Sequence, residues 1–390
     1  MSEVFDIAGS GTLETTLPSS WYLKQDIFEL ERQHIFFREW ICVGREEQLA
    51  EPGDHQVLDV YGESILLVRN GEGQLRAFYN VCRHRGAQLC PAGEQEDSND
   101  RLPLKGGVVG GRAIVCPYHA WTYDLDGQLQ RAPHMTEDMG FRIEDVRLHS
   151  VACESWGGFV FIHLTPTEAP PFEEHIAASA KMFERYPLAD LRVGASHYYS
   201  VNANWKVLCE NYNECYHCGP VHPELCKVVP AFKDGGGSDL DWDRGIPHRD
   251  GATTFTESGT TSRRTFPGLD EDEQVRHKGD LLYPNMFISA ASDHVAIFIL
   301  HAQSAGKTRI DCHFLFEPHE MNKPDFNAAD AANFWHLVNR QDWTICERVQ
   351  AGMGARVHHK GIFSPMEDWN LDIRRYVTER IGQYVIDQDD

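Results

Sequence analysis

From Met1 to Ser20 the chain is polar and rich in Ser and Thr, which reads as an extended lead-in. Apolar positions then recur at helical spacing between Asp26 and Glu39, with Ile27, Leu30, Phe36 and Phe37 set among charges. From Trp40 to about His163 the pattern changes to short β-type runs. Gln56–Val60, Ser64–Val68, Gln74–Tyr79, Ala113–Val115 and Gly158–Ile162 predict strands, and Asn70-Gly71 and Asp126-Gly127 supply hairpin turns. The polar stretch Pro91 to Gly111 reads as a loop inserted in this domain, its Gly106–Gly111 run included. After Pro166 the pattern is mixed. Glu173–Tyr186 and Trp205–Cys218 predict helices, and His197–Val201, Met286–Ile288, Val295–Leu300 and Arg309–Phe316 predict strands. Lys233–Thr265, rich in Gly, Asp, Ser and Thr, reads as a long lid-like surface loop. A long helix is expected from Asp325 to about Ala351, opened by Pro324 and Asp325. The expected architecture is α+β: an all-β domain over 40–164, then an α+β domain over 165–390, with 1–39 packing on the latter.

Composition narrows the function classes. A chain of 390 residues with 42% hydrophobic positions can bury a large core. A formal net charge of -23 lacks the basic footprint of a nucleic-acid or anionic-membrane binder. No apolar run approaches the length of a spanning helix. Met1 to Ser20 has neither a basic start nor an apolar core, so no secretory leader is expected and the cytoplasm is the expected compartment. The chain nevertheless carries 11 Cys and 20 His. In a reducing compartment these point to metal or catalytic use rather than to disulfides.

Two pairs carry that signal: Cys82-Arg83-His84 and Cys116-Pro117-Tyr118-His119, each after a predicted strand. Ordinary buried cysteines and satisfied histidines are one reading, weakened because the pattern occurs twice in one small domain. A structural zinc site is a second, but zinc arms usually pair Cys with Cys and His with His. A Rieske [2Fe–2S] centre is the third: two Cys hold one iron and two His the other. One Cys and one His from each of two loops is the set it needs.

With Asn80-Val81-Cys82-Arg83-His84-Arg85-Gly86 and Cys116-Pro117-Tyr118-His119-Ala120-Trp121, the chain resembles the Rieske non-haem iron oxygenases. The resemblance implies that Cys82 and Cys116 bind the buried iron, and His84 and His119 the outer one. The gap of 31 residues between His84 and Cys116 is longer than is usual there and coincides with the 91–111 insertion.

The second half should then hold the acceptor of the electrons. Glu214 and His217 are three apart and are expected to share a helix face, which Gly219-Pro220 ends so that His222 leaves a turn. Asp342 lies on an apolar stripe of Phe334, Val338, Ile345 and Val349. A buried carboxylate is costly unless paired or metal-bound. It is therefore either bonded to a cap or an Arg, or the third ligand of a two-His-one-carboxylate Fe(II) site with His217 and His222. Gln341–Glu347, with Asp five before Glu, also resembles the family's segment.

The resemblance further implies that Glu214 bridges the two centres across a subunit boundary. Most members have Asp there; Glu, with the string Glu210–Cys218 and Val221–Leu225, resembles the branch of carnitine, choline and betaine monooxygenases or demethylases. It also implies O2 as co-substrate, a separate NAD(P)H-dependent flavin/iron–sulfur reductase and a head-to-tail homotrimer. The alternatives are a ring-hydroxylating dioxygenase or other monooxygenase of the same fold, and a Rieske electron carrier without oxygenase activity. Tyr212, Tyr283, Phe287, Phe298 and Trp335 could form a cation–π box but are read as core. The nine remaining cysteines, Cys209, Cys215, Cys218 and Cys226 among them, are read as reduced packing residues.

Overall fold

The computed structural model describes residues 13–91, 106–235 and 240–386. The N-terminal domain is built on two antiparallel sheets. One has six strands: β1 (Ile41–Arg45), β2 (His55–Val60), β3 (Glu63–Arg69), β4 (Leu75–Tyr79), β9 (Ser150–Trp156) and β10 (Phe159–His163), in the order β1-β10-β9-β4-β3-β2. The other is a four-stranded meander of β5 (Gly107–Val109), β6 (Ala113–Val115), β7 (Thr122–Tyr123) and β8 (Leu129–Arg131). A small core of Leu66, Val68, Phe78, Ile114, Tyr123 and Leu129 joins the two. Gly107–Val109, expected to be loop, is a strand paired with Ala113–Val115. The adjacent Gly110 and Gly111 have φ of 58° and 64°, which side-chain-bearing residues rarely adopt, and so make the tight turn. The rest of the predicted insertion, 92–105, lies outside the described residues.

The second domain is one antiparallel sheet of β11 (Arg192–Val201), β12 (Ile246–Pro247), β13 (Arg276–Leu282), β14 (Met286–Ala290), β15 (Val295–Ser304) and β16 (Lys307–Phe316), in the order β11-β16-β15-β14-β13-β12. Strand side chains alternate between faces. Ile288, Ile297 and Ile299 pack in a cluster with Phe172 and Phe183, from the helix Phe172–Met182 and its end. Phe287, Phe298 and Leu300 face the other way, onto the long helix Ala329–Met353 and its Phe334, Trp335 and Val338. The sheet is therefore buried on both faces, with the long helix on one. β10 shows the same division: Phe159 and Phe161 join the first cluster, Val160 and Ile162 the second.

The N-terminal segment packs into the second domain's larger cluster. Tyr22, Ile27, Phe28 and Phe36 lie in it with Trp205 and Leu208. Fully buried Glu31 accepts a hydrogen bond of 2.8 Å from Trp205 Nε1 and is ion-paired with Lys206. The helix Gln25–Glu31 continues as a π-turn over Arg32–Phe36.

Four further expectations are corrected. The helix from Trp205 ends at Tyr212, and Glu214 to His217 form a turn before a short helical segment, Cys218–Val221, that includes Gly219 and Pro220. Glu214 and His217 therefore meet across a turn and not on a helix face. In that turn Cys215 and Cys218, read as reduced, are joined as a disulfide with Cα atoms 4.8 Å apart. The Lys233–Thr265 stretch is not all surface: Ile246–Pro247 pairs with β13, and Ala252, Thr254 and Phe255 are buried. Its Thr and Asp-rich composition misleads because Thr254 bonds buried Asp293, and Phe255 packs on Trp335 at 4.9 Å. In the long helix the buried face runs through Val338, Cys346 and Gln350, while Val349 is 41% exposed. Gln350 is drawn inward by hydrogen bonds from Asn204 N and to Tyr22 O, which no apolar pattern announces. Among the described residues no helix is long and apolar enough to cross a membrane.

Candidate metal centres

The two Cys–His pairs lie on neighbouring loops, one after β4 and the other between β6 and β7. Asn80 is 2% exposed and ties the first loop, accepting from Leu89 N and Cys90 N at 3.1 and 2.9 Å and donating to Cys90 O at 2.8 Å. Hairpin bonds from Cys116 N to Trp121 O and from Ala120 N to Cys116 O close the second loop. Cys82 and Cys116 are buried and within reach of one another, with Tyr123 Oη 3.3 Å from Cys82 Sγ. His84 and His119 are exposed, their ring centroids 4.7 Å apart, and His84 stacks on Trp121 at 4.8 Å. Two inward sulfurs and two outward imidazoles fit a cluster with one iron inside the domain and one at its surface.

The second group comes from three elements: His217 from the turn, His222 from the start of the helix Pro223–Val228, and Asp342 from the middle of the long helix. One ligand atom from each lies within 4.8 Å of the others, so the three could hold a metal ion. Asp342 Oδ1 is 2.8 Å from His222 Nε2 and 3.2 Å from His217 Nε2.

The tautomers follow from the outer partners. His217 Nδ1 is 2.6 Å from Glu214 Oε1, and a carboxylate only accepts, so Nδ1 carries the proton. Gln341 Nε2 donates to Glu224 Oε2 at 3.1 Å, which points the Gln341 oxygen at His222 Nδ1, 2.8 Å away. Both rings are thereby held at Nδ1 and present Nε2 inward, the arrangement that orients imidazole ligands and raises their basicity. In the metal-free arrangement burial disfavours a charged His217. Hydrogen bonds to Asp342 and Glu214 outweigh it and raise the ring's pKa to about 10. Burial likewise opposes an ionised Asp342, but hydrogen bonds from the two imidazoles hold it below the usual range. A divalent cation would replace that proton with a stronger partner for the same donors.

Beside this group is a cavity of about 310 Å³ lined by Tyr212, Phe287, Phe298, Trp335 and Trp242. All five aromatic residues read as core, Tyr283 included, line it. They are both: Phe287 is 1% exposed and stacked on Tyr212 at 4.3 Å, so the core's edge is the cavity wall. Sequence reasoning missed Gln341, whose only signal was its place next to Asp342, and Asn211, whose amide lies 3.2 Å from His217 Nε2.

A paired Cys–His cluster site in a β domain, followed by a two-His-one-carboxylate group against an antiparallel sheet, defines a Rieske-type non-haem iron oxygenase. Residues 39–152 match the Rieske [2Fe-2S] domain and 188–383 the ring hydroxylating alpha subunit (catalytic domain), and the chain belongs to that alpha-subunit family. It is thus an oxidoreductase that uses a Rieske cluster and mononuclear iron, serves a small-molecule substrate and draws on a separate reductase. The chain is 29% identical over 389 residues to the glycine betaine monooxygenase oxygenase subunit of Pseudomonas aeruginosa, covering 91% of this chain and 86% of the relative. It is 39% identical over 215 residues to the carnitine monooxygenase oxygenase subunit of Escherichia coli, 55% and 54% of the two chains. Among solved structures it resembles the quaternary ammonium Rieske monooxygenase CntA in complex with gamma-butyrobetaine, at TM-score 0.69 and 25% identity over 93% and 96% of the chains. Naphthalene 1,2-dioxygenase from Rhodococcus shares the fold at TM-score 0.68 and 19% identity over 93% and 94% of the chains.

Proposed function

We propose that this chain hydroxylates an N-methyl group of a small quaternary ammonium compound, giving a carbinolamine that then releases formaldehyde. The observation that carries the reading is the aromatic cavity opening onto His217, His222 and Asp342. A quaternary head cannot donate a hydrogen bond, so ring faces are its best partners. The relatives named for betaine, carnitine and choline support the same substrate class.

In this reading Cys82 and Cys116 hold the inner iron of the cluster, His84 and His119 the outer one, and His217, His222 and Asp342 the mononuclear iron. The bound irons supply electron transfer and O2 activation. The chain's own residues do the rest. Glu214 and Gln341 fix the imidazoles, the aromatic wall orients the substrate and excludes water, and Glu214 couples the two centres. We further propose that His84 and His119, exposed on their domain, meet the Glu214 side of a neighbouring subunit in a head-to-tail homotrimer. The compartment proposed is the cytoplasm.

A formaldehyde assay with O2 and a Rieske-type reductase across betaine, choline, carnitine and proline betaine tests the activity. A cis-diol from an aromatic substrate in place of formaldehyde would support ring dioxygenation instead. Two irons per chain in place of three, with no loss on mutating His217, would reduce the protein to an electron carrier. For the trimer, mixing His84→Ala and Asp342→Ala chains should restore activity that neither has alone.

A further inference from the structure

Among the described residues four tryptophans line the cavity, Trp242, Trp335, Trp343 and Trp369. The ring N–H of Trp242 and of Trp343 has no partner among the described residues, and Trp369 is 46% exposed. Trp335 is different. It stands on the long helix seven residues before Asp342, so the two share a face about two turns, or roughly 10 Å, apart. Its Nε1 lies 3.2 Å from His294 Nε2. Phe255 and Phe298 meet its ring at 62° and 69°, so neither stacks on it.

The partner is itself held by a chain of groups away from the cavity. His294 lies in the turn between β14 and β15 and is fully buried. An indole N–H only donates, so His294 Nε2 accepts and the ring's proton sits on Nδ1. There Asp293 Oδ1 receives it at 3.0 Å. Burial opposes an ionised Asp293, but His294, Arg263 and Thr254 hold its carboxyl well below its usual range. Arg263 donates to Asp293 Oδ2 at 2.7 Å and to Asp330 Oδ1 at 2.7 Å. Asp330 lies in the first turn of the helix that carries Trp335. The indole and the start of its helix are thus tied to one turn.

The Arg263 ion pairs would anchor the helix without His294. The link from Asp293 through His294 acts on Trp335 instead, and it ends on the one edge of the indole that bears a polar proton. Donation to a base backed by a carboxylate draws that proton toward His294 and leaves the ring richer in electrons, which deepens its negative face. The link also fixes the plane of the ring, since a rotated indole would leave buried Nε2 of His294 without a donor. A cation against the ring gains from both effects. An uncharged group of the same shape gains only from the second.

We propose that His294 and Asp293 are positioning residues of the substrate site: through the indole N–H they orient Trp335 and enrich its face, and so make that ring the principal contact of the substrate's charged head. The inference rests on the function proposed above. It singles out one ring of the wall and assigns its strength to two buried residues that are not among those lining the cavity.

The test uses the iron-loaded protein and two pairs of probes, choline with dimethylbutanol and glycine betaine with tert-butylacetate. Each pair differs only in a quaternary nitrogen against a quaternary carbon. Calorimetry gives the affinity ratio within a pair, and ultraviolet resonance Raman spectra report the indole hydrogen bond. His294→Phe removes the acceptor. It is expected to cut the ratio in favour of the quaternary head by at least about threefold, to change the tert-butyl affinities less, and to weaken the indole hydrogen-bond signature. In a Trp335→Phe background the same substitution should leave the ratio where it is. An unaltered ratio or indole signature in folded His294→Phe, an equal loss for both members of a pair, or the same loss persisting in the Trp335→Phe background overturns the inference and leaves the proposed function standing. Wild-type protein that binds the tert-butyl probes as tightly as the quaternary ones, or binds none of the probes, overturns both. If His294→Phe does not fold, Trp335→Phe alone decides: it should lower the ratio to the same extent, and an unaltered ratio overturns the inference.

Discussion

The two candidate metal sites are built on opposite plans. The Cys82–His84 and Cys116–His119 loops come from one small domain, close in sequence, with their imidazoles in solvent. The His217–His222–Asp342 group draws on elements more than a hundred residues apart, and His222 is 1% exposed. In the first, the loops are fixed by backbone bonds and Asn80, and the His edges stay open for exchange with a partner. In the second, every ring nitrogen has a fixed partner and burial keeps bulk water away. An electron-transfer site must be reached from outside, while an oxygen-activating site must be dry and rigid.

The comparison breaks most completely if the two sites prove interdependent. Asp342→Ala should abolish formaldehyde release, by at least about 100-fold, and remove one iron per chain. The Rieske absorption and electron paramagnetic signal should remain. Cys82→Ser should do the reverse, erasing the cluster signals while His217, His222 and Asp342 still bind added Fe(II). Metal analysis beside visible spectra checks both, and joint loss of all iron in either variant would show one folding unit where two are drawn here.

Removing an outer partner should be milder. Gln341→Leu is expected to weaken Fe(II) at the mononuclear site by about 10- to 100-fold, because His222 loses the contact that fixes its tautomer. The Fe(II) titration of the metal-free protein measures this. The cluster should be untouched.

Acid should strike the second domain first. Buried His248 is held neutral by burial and then by His294, its pKa lowered to about 4, and burial pushes His277 well below its usual range. In the unfolded chain both take a proton near pH 6.5. The unfolded state therefore binds more protons as pH falls below that value, and the contribution of these two imidazoles declines from about pH 6.5 toward 4 and is constant above. His248 alone should cost about 3 kcal/mol at the acid end. Denaturation of the metal-free protein across this range checks it, and His248→Gln should flatten the curve.

The smallest effect concerns the long helix. Val349→Ser should change stability by less than about 0.5 kcal/mol, while Val338→Ala, on the buried face, should cost about 1–3 kcal/mol. Chemical denaturation of the two variants decides which stripe faces the core.

Legibility followed locality. Strands β2, β3, β4 and β6 and the long helix were readable because their patterns are continuous. β12, β13 and the helix Asn370–Ile386 were not anticipated. β13 carries Lys278, Asp280 and His277 within seven residues, and their partners Glu273, Ser179 and His248 come from elsewhere. No local pattern announces a polar strand that is buried by its pairings. Glu214 and His217 do meet, but across a turn, because three-residue spacing also suits a chain reversal. Asp342 was noticed as a polar residue on an apolar stripe, although part of that stripe, Val349, faces solvent.

The sequence by itself determined the kind of chemistry. Thiol and imidazole at short, repeated spacing narrow the metal options because donor type and separation restrict what can be bound. It also determined the domain order and the aromatic stock from which the cavity is lined. Only the tertiary structure decided what surrounds those donors: that Gln341 and Glu214 hold the rings at Nδ1, and that core aromatics double as a cavity wall. Those properties depend on which face of a sheet meets which stripe of a helix, and that choice is made by the summed burial and hydrogen bonding of distant segments.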